Sequence, residues 1–268
     1  MRTSYYRDKL AVLTGASQGI GKALARELVS RGAGVVICAR DEDKLRAAVS
    51  EIRQLCRRPD QRVAHRAVDL VEYETTRRGM EAIVDQYGRP DFLMNCAGFA
   101  HPGYLEELAP AVLREMMEVN YLGTVHACKA ALAHLKNGHS HILNVASVAG
   151  FVGLFGNTGY CATKYAVIGF SEALRSELSP RRIKVSVLCP PNTRTPGLLR
   201  ENQIKPAEVL AIEDRAAVLE AADVASAALK ALPRGHFLIH PNMRGRAAYF
   251  LSRFMPGLLR QLTKRPRG

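Results

Sequence analysis

Short apolar runs alternate with amphipathic helical stretches along most of this chain, and that alternation limits the fold more than any single residue does. KLAVLTG, beginning at Lys9, ends in Gly15, and GIGKALARELVSRG follows with Ile20, Ala23, Leu24 and Leu28 at helical spacing. AGVVICAR repeats the first pattern and DEDKLRAAVSEIRQLC the second, with Asp41 placed to cap it. The exchange continues through RVAHRAVDL, EYETTRRGMEAIVDQYG, PDFLMNCAG, a long helical region over about 110–136, HILNVAS, a helix over about 158–178, RIKVSVLCPP, LEAADVASAALKAL and HFLIHP. Strands that are apolar on both faces must be covered on both, which is the condition of a parallel sheet between two helical layers. The expected fold is a single doubly wound α/β domain over residues 1–242, with a parallel sheet of about seven strands. One long irregular region, from Pro190 to about Glu220, has the length of a substrate lid. Residues 243–268 read as a basic amphipathic helical extension.

TGASQGIG, Thr14 to Gly21, falls between the first strand and the first helix, with Gly15, Gly19 and Gly21 spaced GxxxGxG. Glycines there let the backbone turn tightly and approach a pyrophosphate, and the helix N-terminus behind them offers free N–H groups to an anion. A plain tight turn is the simpler alternative. The residue closing the second strand selects the dinucleotide, and here it is Arg40, with Lys22 also near the turn. A guanidinium matches the 2′-phosphate of NADP(H), whereas an acid would hold the 2′-hydroxyl of NAD. Asp41, next in sequence, either serves the ribose or caps its own helix.

Tyr160 and Lys164 lie four residues apart in a helical stretch, so their side chains are neighbours on one face. A free phenol has a pKa near 10, and a cation within about 6 Å lowers it. The pair makes a tuned proton donor and acceptor, although YxxxK also occurs by chance. Ser147 ends the fifth strand and Asn95 the fourth, at the carboxyl edge where ligands of such sheets bind. Asn120 sits in a helical stretch where asparagine is a poor helix former, either solvated or bending the helix.

Together TGxxxGIG, NxAG after strand four, the helical Asn, the Ser after strand five and YxxxK resemble the short-chain dehydrogenase/reductase family, over about residues 8–240. The resemblance implies a Rossmann-type NADP(H)-dependent oxidoreductase. It implies Tyr160 as general acid/base, Lys164 as the group that lowers its pKa and binds the nicotinamide ribose, and Ser147 as the residue that polarises a carbonyl. Asn120 would hold a water behind Lys164. Ser17, Gln18 and Ile20 of the turn would join its glycines at the cofactor, Asp69 and Leu70 would lie by the adenine, and Asn95, Ala97, Gly98, Pro190 and Thr193 would line the remainder. A homo-oligomer, dimer or tetramer, is common in the family.

Three stretches, VNYLGTVHACKAAL, GLFGNTGYCATKYAVIGFSEAL and CPPNTRTPGLLRENQIKP, are similar to a narrower group, the 3-ketodihydrosphingosine reductases. That likeness implies a long-chain lipid ketone as substrate; the alternatives are another apolar carbonyl such as a steroid, retinoid or acyl ketone, or a non-catalytic NADP-binding module, against which the intact Asn-Ser-Tyr-Lys set argues. Leu198, Leu199, Ile204, Val209, Leu210 and Ile212 of the lid would cover an alkyl chain, or pack the lid on its own domain. Where that group tends to carry lid acids, this chain has Asn192 and Arg194. Charge adds one further expectation. Of the net charge of +13, nine Lys or Arg and no Asp or Glu follow Asp223. In the tail Tyr249, Phe250, Phe254, Leu258, Leu259 and Leu262 interleave with Arg246, Arg253, Arg260 and Lys264, so it either lies in an anionic membrane surface or packs on the protein. No aromatic platform or reading helix points to nucleic acid. Six scattered cysteines, without a CxxC pair, fit reduced thiols and no metal site, and no apolar run is long enough to span a bilayer. A cytoplasmic location, peripheral at the membrane, is the expectation.

Overall fold

The computed structural model describes residues 5–213 and 217–262. Strands β1 (Leu10–Thr14), β2 (Gly34–Ala39), β3 (Val63–Ala67), β4 (Phe92–Asn95), β5 (His141–Val145), β6 (Lys184–Leu188) and β9 (Leu238–Ile239) form one sheet in the order β3-β2-β1-β4-β5-β6-β9. Every pairing in it is parallel. The strand order reverses between β1 and β4, which opens a crevice at their carboxyl ends.

The pleat explains the unbroken apolar runs. Ala11 and Leu13 of β1, with Val35 and Ile37 of β2, enter a core built with Leu24 and Leu28 of α1 (Gly19–Ser30), Leu45 and Ile52 of α2 (Glu42–Arg53) and Val224 and Leu229 of α9 (Ala221–Ala231). The intervening Leu10, Val12, Val36 and Cys38 face a second core on the other side of the sheet. There they meet Met80 and Ile83 of α3 (Tyr73–Tyr87), Cys128 of α5 (Gly123–Ala131) and Leu174 of α6 (Thr158–Glu177). Cutting a fully buried leucine such as Leu13 to alanine costs about 2–5 kcal/mol. The sheet edge departs from the expected pattern: only Val63 of β3 is buried, because β3 has a neighbour on one side alone.

Two expectations are corrected. The helical region over 110–136 is α4 (Pro110–Met117), a π-helical turn over Glu118–Leu122, and α5. Asn120 sits fully buried in that turn, where its side chain bonds the backbone of Phe99. The lid is folded, not irregular. Strand β7 (Thr193–Arg194) pairs with β8 (Leu219–Glu220), and between them lie α7 (Pro196–Ile204) and α8 (Ala207–Glu213). Thr195 caps α7 by accepting from the Leu198 N–H at 3.2 Å, with Pro196 at the first helical position. Pro206 then separates the two helices, since a proline ring has no place inside one.

The tail is helical over α10 (Met243–Phe254) and α11 (Pro256–Leu262), and Lys264 falls outside the described residues. Tyr249 packs edge-on against Phe151, centroids 5.3 Å apart, while Phe250 and Phe254 are exposed. So one face of the tail docks on the domain and another is open. All six cysteines are unpaired, and no described helix is long and apolar enough to cross a membrane.

Candidate active site

The glycine turn is built for close backbone approach. Gly15 has φ +61°, and a Cβ on it would lie 2.4 Å from the Cα of Ala97. One on Gly21 would lie 2.5 Å from the Gly15 carbonyl oxygen. A side chain at either position would displace the backbone. Helix α1 begins at Gly19 with no side-chain cap and no acid in its first turn, so its first N–H groups remain available to an anion. This cradle, at the strand-order switch, fits a dinucleotide pyrophosphate. It opens on a cleft of about 720 Å³ that continues to Ser147 and Tyr160. Of the residues expected to hold the cofactor or carry the catalysis, all but Asn95 and Asn120 line that cleft, whereas of the lid residues expected to cover an alkyl chain only Leu198 and Ile204 do.

Asn95 is turned into the protein. Its Nδ2 donates to Asn144 Oδ1 at 2.9 Å and to Cys128 Sγ, and its Oδ1 accepts from Thr14. It locks β4 to β1 and β5, and its buried amide is satisfied without a ligand. Asn120 stands directly behind the cleft wall. Its Nδ2 donates to the Phe99 carbonyl at 2.8 Å and to Thr163 Oγ1 at 3.0 Å, and its Oδ1 accepts from the Phe99 N–H at 2.9 Å. A Cβ on Gly98 would come within 3.0 Å of that Oδ1 and 3.3 Å of Lys164 Nζ, so this glycine lets both side chains come close to the backbone there.

At the other end the two acid/base alternatives at strand two separate. Asp41 caps α2, accepting from the Lys44 N–H at 3.0 Å, and also pairs with the Lys44 side chain. Arg40 is exposed beside the cleft with no carboxylate in ion-pair reach among the described residues. Lys22, in contrast, is drawn to Glu51 at 2.7 Å and does not line the cleft. Asp69 keeps a carboxylate at the cleft while its Oδ1 accepts from the Val71 N–H.

Helix α6 presents Tyr160 and Lys164 one turn apart, with Lys164 Nζ 5.6 Å from the centroid of the Tyr160 ring. Only 4% of Lys164 is exposed, and Nζ donates to the Val145 carbonyl at 3.0 Å. Burial pushes its pKa down to about 8, against the opposing pull of Cys96, Cys189 and Glu201. At neutral pH most of it still carries a proton, so a cation sits beside the phenol. Ser147 follows β5, its Oγ accepting from the Ala149 N–H at 3.1 Å and donating to the Pro190 carbonyl at 3.4 Å. That donation is long enough for a carbonyl ligand to replace it. Thus a hydroxyl, a phenol and an ammonium converge on one end of the cleft, an arrangement that can polarise a carbonyl and give it a proton.

The lid divides the leucines assigned to it. Leu198 and Ile204 face the cleft, Leu199 points away at 59% exposure, and Val209 is buried against Gly156. Arg194 pairs with Glu220 across the small sheet at 2.7 Å, while Asn192 lines the cleft. Sequence reading missed Phe99, Val119, Asn157 and Glu201 as lining residues. The helical spacing of Leu198, Glu201 and Ile204 behind the Thr-Pro start of α7 is the signal that would have revealed the last.

The sequence profile of a family described as short chain dehydrogenase matches residues 9–205. A 3-ketodihydrosphingosine reductase of Bos taurus is 36% identical over 249 residues, covering 92% of this chain and 74% of that protein. An L-fucose dehydrogenase of Oryctolagus cuniculus is 35% identical over 249 residues, covering 92% of this chain and 80% of that one. Among solved structures, a short chain dehydrogenase/reductase of Burkholderia phymatum in complex with NAD superposes with a TM-score of 0.82 at 24% identity, covering 98% of each chain.

Proposed function

The chain belongs to the short-chain dehydrogenase family, and from that membership we propose that it is an NADPH-dependent reductase acting on the ketone of a long-chain amino ketone of the 3-ketodihydrosphingosine type. The observation that carries the chemistry is the convergence of Ser147, Tyr160 and Lys164 at the end of a cleft whose far end is a glycine cradle. The similarity to the bovine reductase and the apolar Leu198 and Ile204 facing the cleft support the lipid substrate. The same leucine and isoleucine weigh against a sugar, the substrate that the rabbit relative's name would suggest.

When bound, the dihydronicotinamide supplies a hydride to the carbonyl carbon. The chain does the rest. Gly15, Gly19 and Gly21, with the start of α1, would hold the pyrophosphate, and Arg40 the 2′-phosphate. Ser147 Oγ donates to the substrate oxygen and fixes its position. Tyr160 donates its phenolic proton to the same oxygen as negative charge develops there. The Lys164 ammonium stabilises the phenolate left behind and so makes that donation easier near neutral pH. Phe99, Leu198 and Ile204 would give the cleft its apolar wall. The open face of the tail, with Phe250, Phe254 and Leu258 beside Arg246 and Arg253, would hold the enzyme at an anionic bilayer, where such a substrate resides. The test is NADPH consumption with 3-ketosphinganine beside a panel of steroid and acyl ketones. Preference for the amino ketone supports the reading, and turnover of the panel without it refutes the substrate assignment.

A further inference from the structure

The Ser147 hydroxyl is placed by the short turn that follows it. Val148–Gly150 form a 3-10 turn, and Ser147 caps it by accepting from the Ala149 N–H at 3.1 Å. The Val148 N–H donates to the Pro190 carbonyl at 3.1 Å, the same oxygen that the Ser147 hydroxyl reaches at 3.4 Å. Helices α6 and α10 both pack on this turn. On the α6 side a Cβ on Gly150 would lie 2.8 Å from the Lys164 carbonyl oxygen, so backbone is seated on backbone. On the other side the chain leaves the turn through Phe151, and Phe151 meets the tail.

There the rings of Phe151, His240 and Tyr249 meet pairwise. Tyr249 of α10 stands edge-on to Phe151 with centroids 5.3 Å apart, and His240 stands edge-on to Phe151 at 5.6 Å. His240 and Tyr249 lie 5.3 Å apart. None of these residues lines the cleft. They are held from behind. Asn242 caps α10 by accepting from the Gly245 N–H at 2.8 Å, and a Cβ on buried Gly245 would lie 3.8 Å from the His240 Cβ. Strand β9, which leads into His240, accepts from the Cys189 N–H through Ile239 at 2.9 Å, one residue before Pro190. The same corner of the protein thus braces both partners of the Ser147 hydroxyl, the turn through Phe151 and Pro190 through Cys189. On α10, Phe250 and Phe254 pair with each other and are exposed, whereas Tyr249 is turned to the domain.

We infer that Tyr249 is a positioning residue for the reduction: through Phe151 it holds the turn that sets Ser147 Oγ. The tail is then part of the scaffold of the active site, although it touches neither substrate nor cofactor. The inference rests on the role given to Ser147 above. A polarising hydroxyl acts only within hydrogen-bond distance of the carbonyl oxygen, and a misplacement of about 1 Å costs up to about a hundredfold in rate. Edge-on ring contacts fix orientation as well as distance, which an alanine cannot do.

The test is a double-mutant cycle on the full chain, with NADPH and any ketone that the wild type reduces. Tyr249→Ala lowers turnover about tenfold or more, chiefly in kcat, while NADPH affinity by fluorescence titration stays within about threefold of the wild type. Tyr249→Phe keeps the ring and holds kcat within about threefold. With Ser147→Ala already in place, adding Tyr249→Ala costs less than about threefold, since no hydroxyl is left to misplace. A loss of the same size in both backgrounds would overturn the proposal, because Tyr249 would then act elsewhere. So would a loss that extends to NADPH affinity, which assigns Tyr249 to the fold alone. If Ser147→Ala reduces the ketone at the wild-type rate, the role of Ser147 fails and the inference with it. Wild-type turnover in Tyr249→Ala beside a crippled Ser147→Ala sinks the positioning claim and leaves the role of Ser147 intact.

Discussion

Lys164 should weaken the fold that contains it, and replacing it with methionine tests that directly. The side chain is 4% exposed, and its pKa falls from 10.5 to about 8 because burial penalises the ammonium. A lysine that holds its proton less tightly when folded makes the unfolded chain the stronger proton binder. Stability therefore rises with pH between about 8 and 10.5, and the burial penalty is fully present below about 8. At about 1.4 kcal/mol per tenfold change in acidity, that penalty is roughly 3 kcal/mol at pH 7. Lys164→Met keeps the apolar stem and removes the charge. It also loses the hydrogen bond to the Val145 carbonyl, worth about 1 kcal/mol. The cofactor-free variant gains about 2 kcal/mol at pH 7, which raises Tm by roughly 4 °C for a domain this large. Scanning calorimetry of both proteins at pH 7, 8.5 and 10 should show the gap closing as pH rises, while reductase activity falls at least about a hundredfold. A variant that melts below the wild type at every pH, by a constant interval, would refute the reasoning.

Gly15→Ala places a Cβ against Ala97 in left-handed backbone, so cofactor affinity measured by fluorescence titration drops at least about tenfold. Arg40→Asp, assayed with both coenzymes, shifts the kcat/KM ratio from NADPH toward NADH by about a hundredfold or more; a wild type that prefers NADH would remove Arg40 from its assigned role. The double change Phe250→Ser and Phe254→Ser abolishes co-sedimentation with anionic vesicles at low salt while leaving Tm nearly unchanged, since both rings are exposed. Binding that survives the change would place the contact elsewhere.

The centre of the sheet was legible because β1, β2 and β4 are apolar almost throughout, and the cradle because glycine at Gly15 and Gly21 answers a steric demand that other residues cannot meet. Tyr160 and Lys164 were legible because helical geometry alone makes positions four apart neighbours. Other features depended on contacts between distant segments. Asn95 ends a strand at the right edge, yet Asn144 and Cys128 on neighbouring elements claim its amide. Lys22 lies near the turn in sequence, but Glu51 of α2 is in reach. Asn120, in the π-helical turn, is bonded to Phe99, twenty-one residues away, a partner that no local periodicity contains. The lid helices were different. Thr195 followed by Pro196 is a local helix start, and it was hidden by the prolines and polar residues around it.

The central claim is that the Tyr160 phenol donates the proton, and Tyr160→Phe tests it with one atom removed. The account predicts that kcat/KM for any accepted ketone falls about a hundredfold to ten-thousandfold while NADPH affinity stays within about threefold of the wild type. Turnover within a few-fold of the wild type, with coenzyme bound normally, would contradict it.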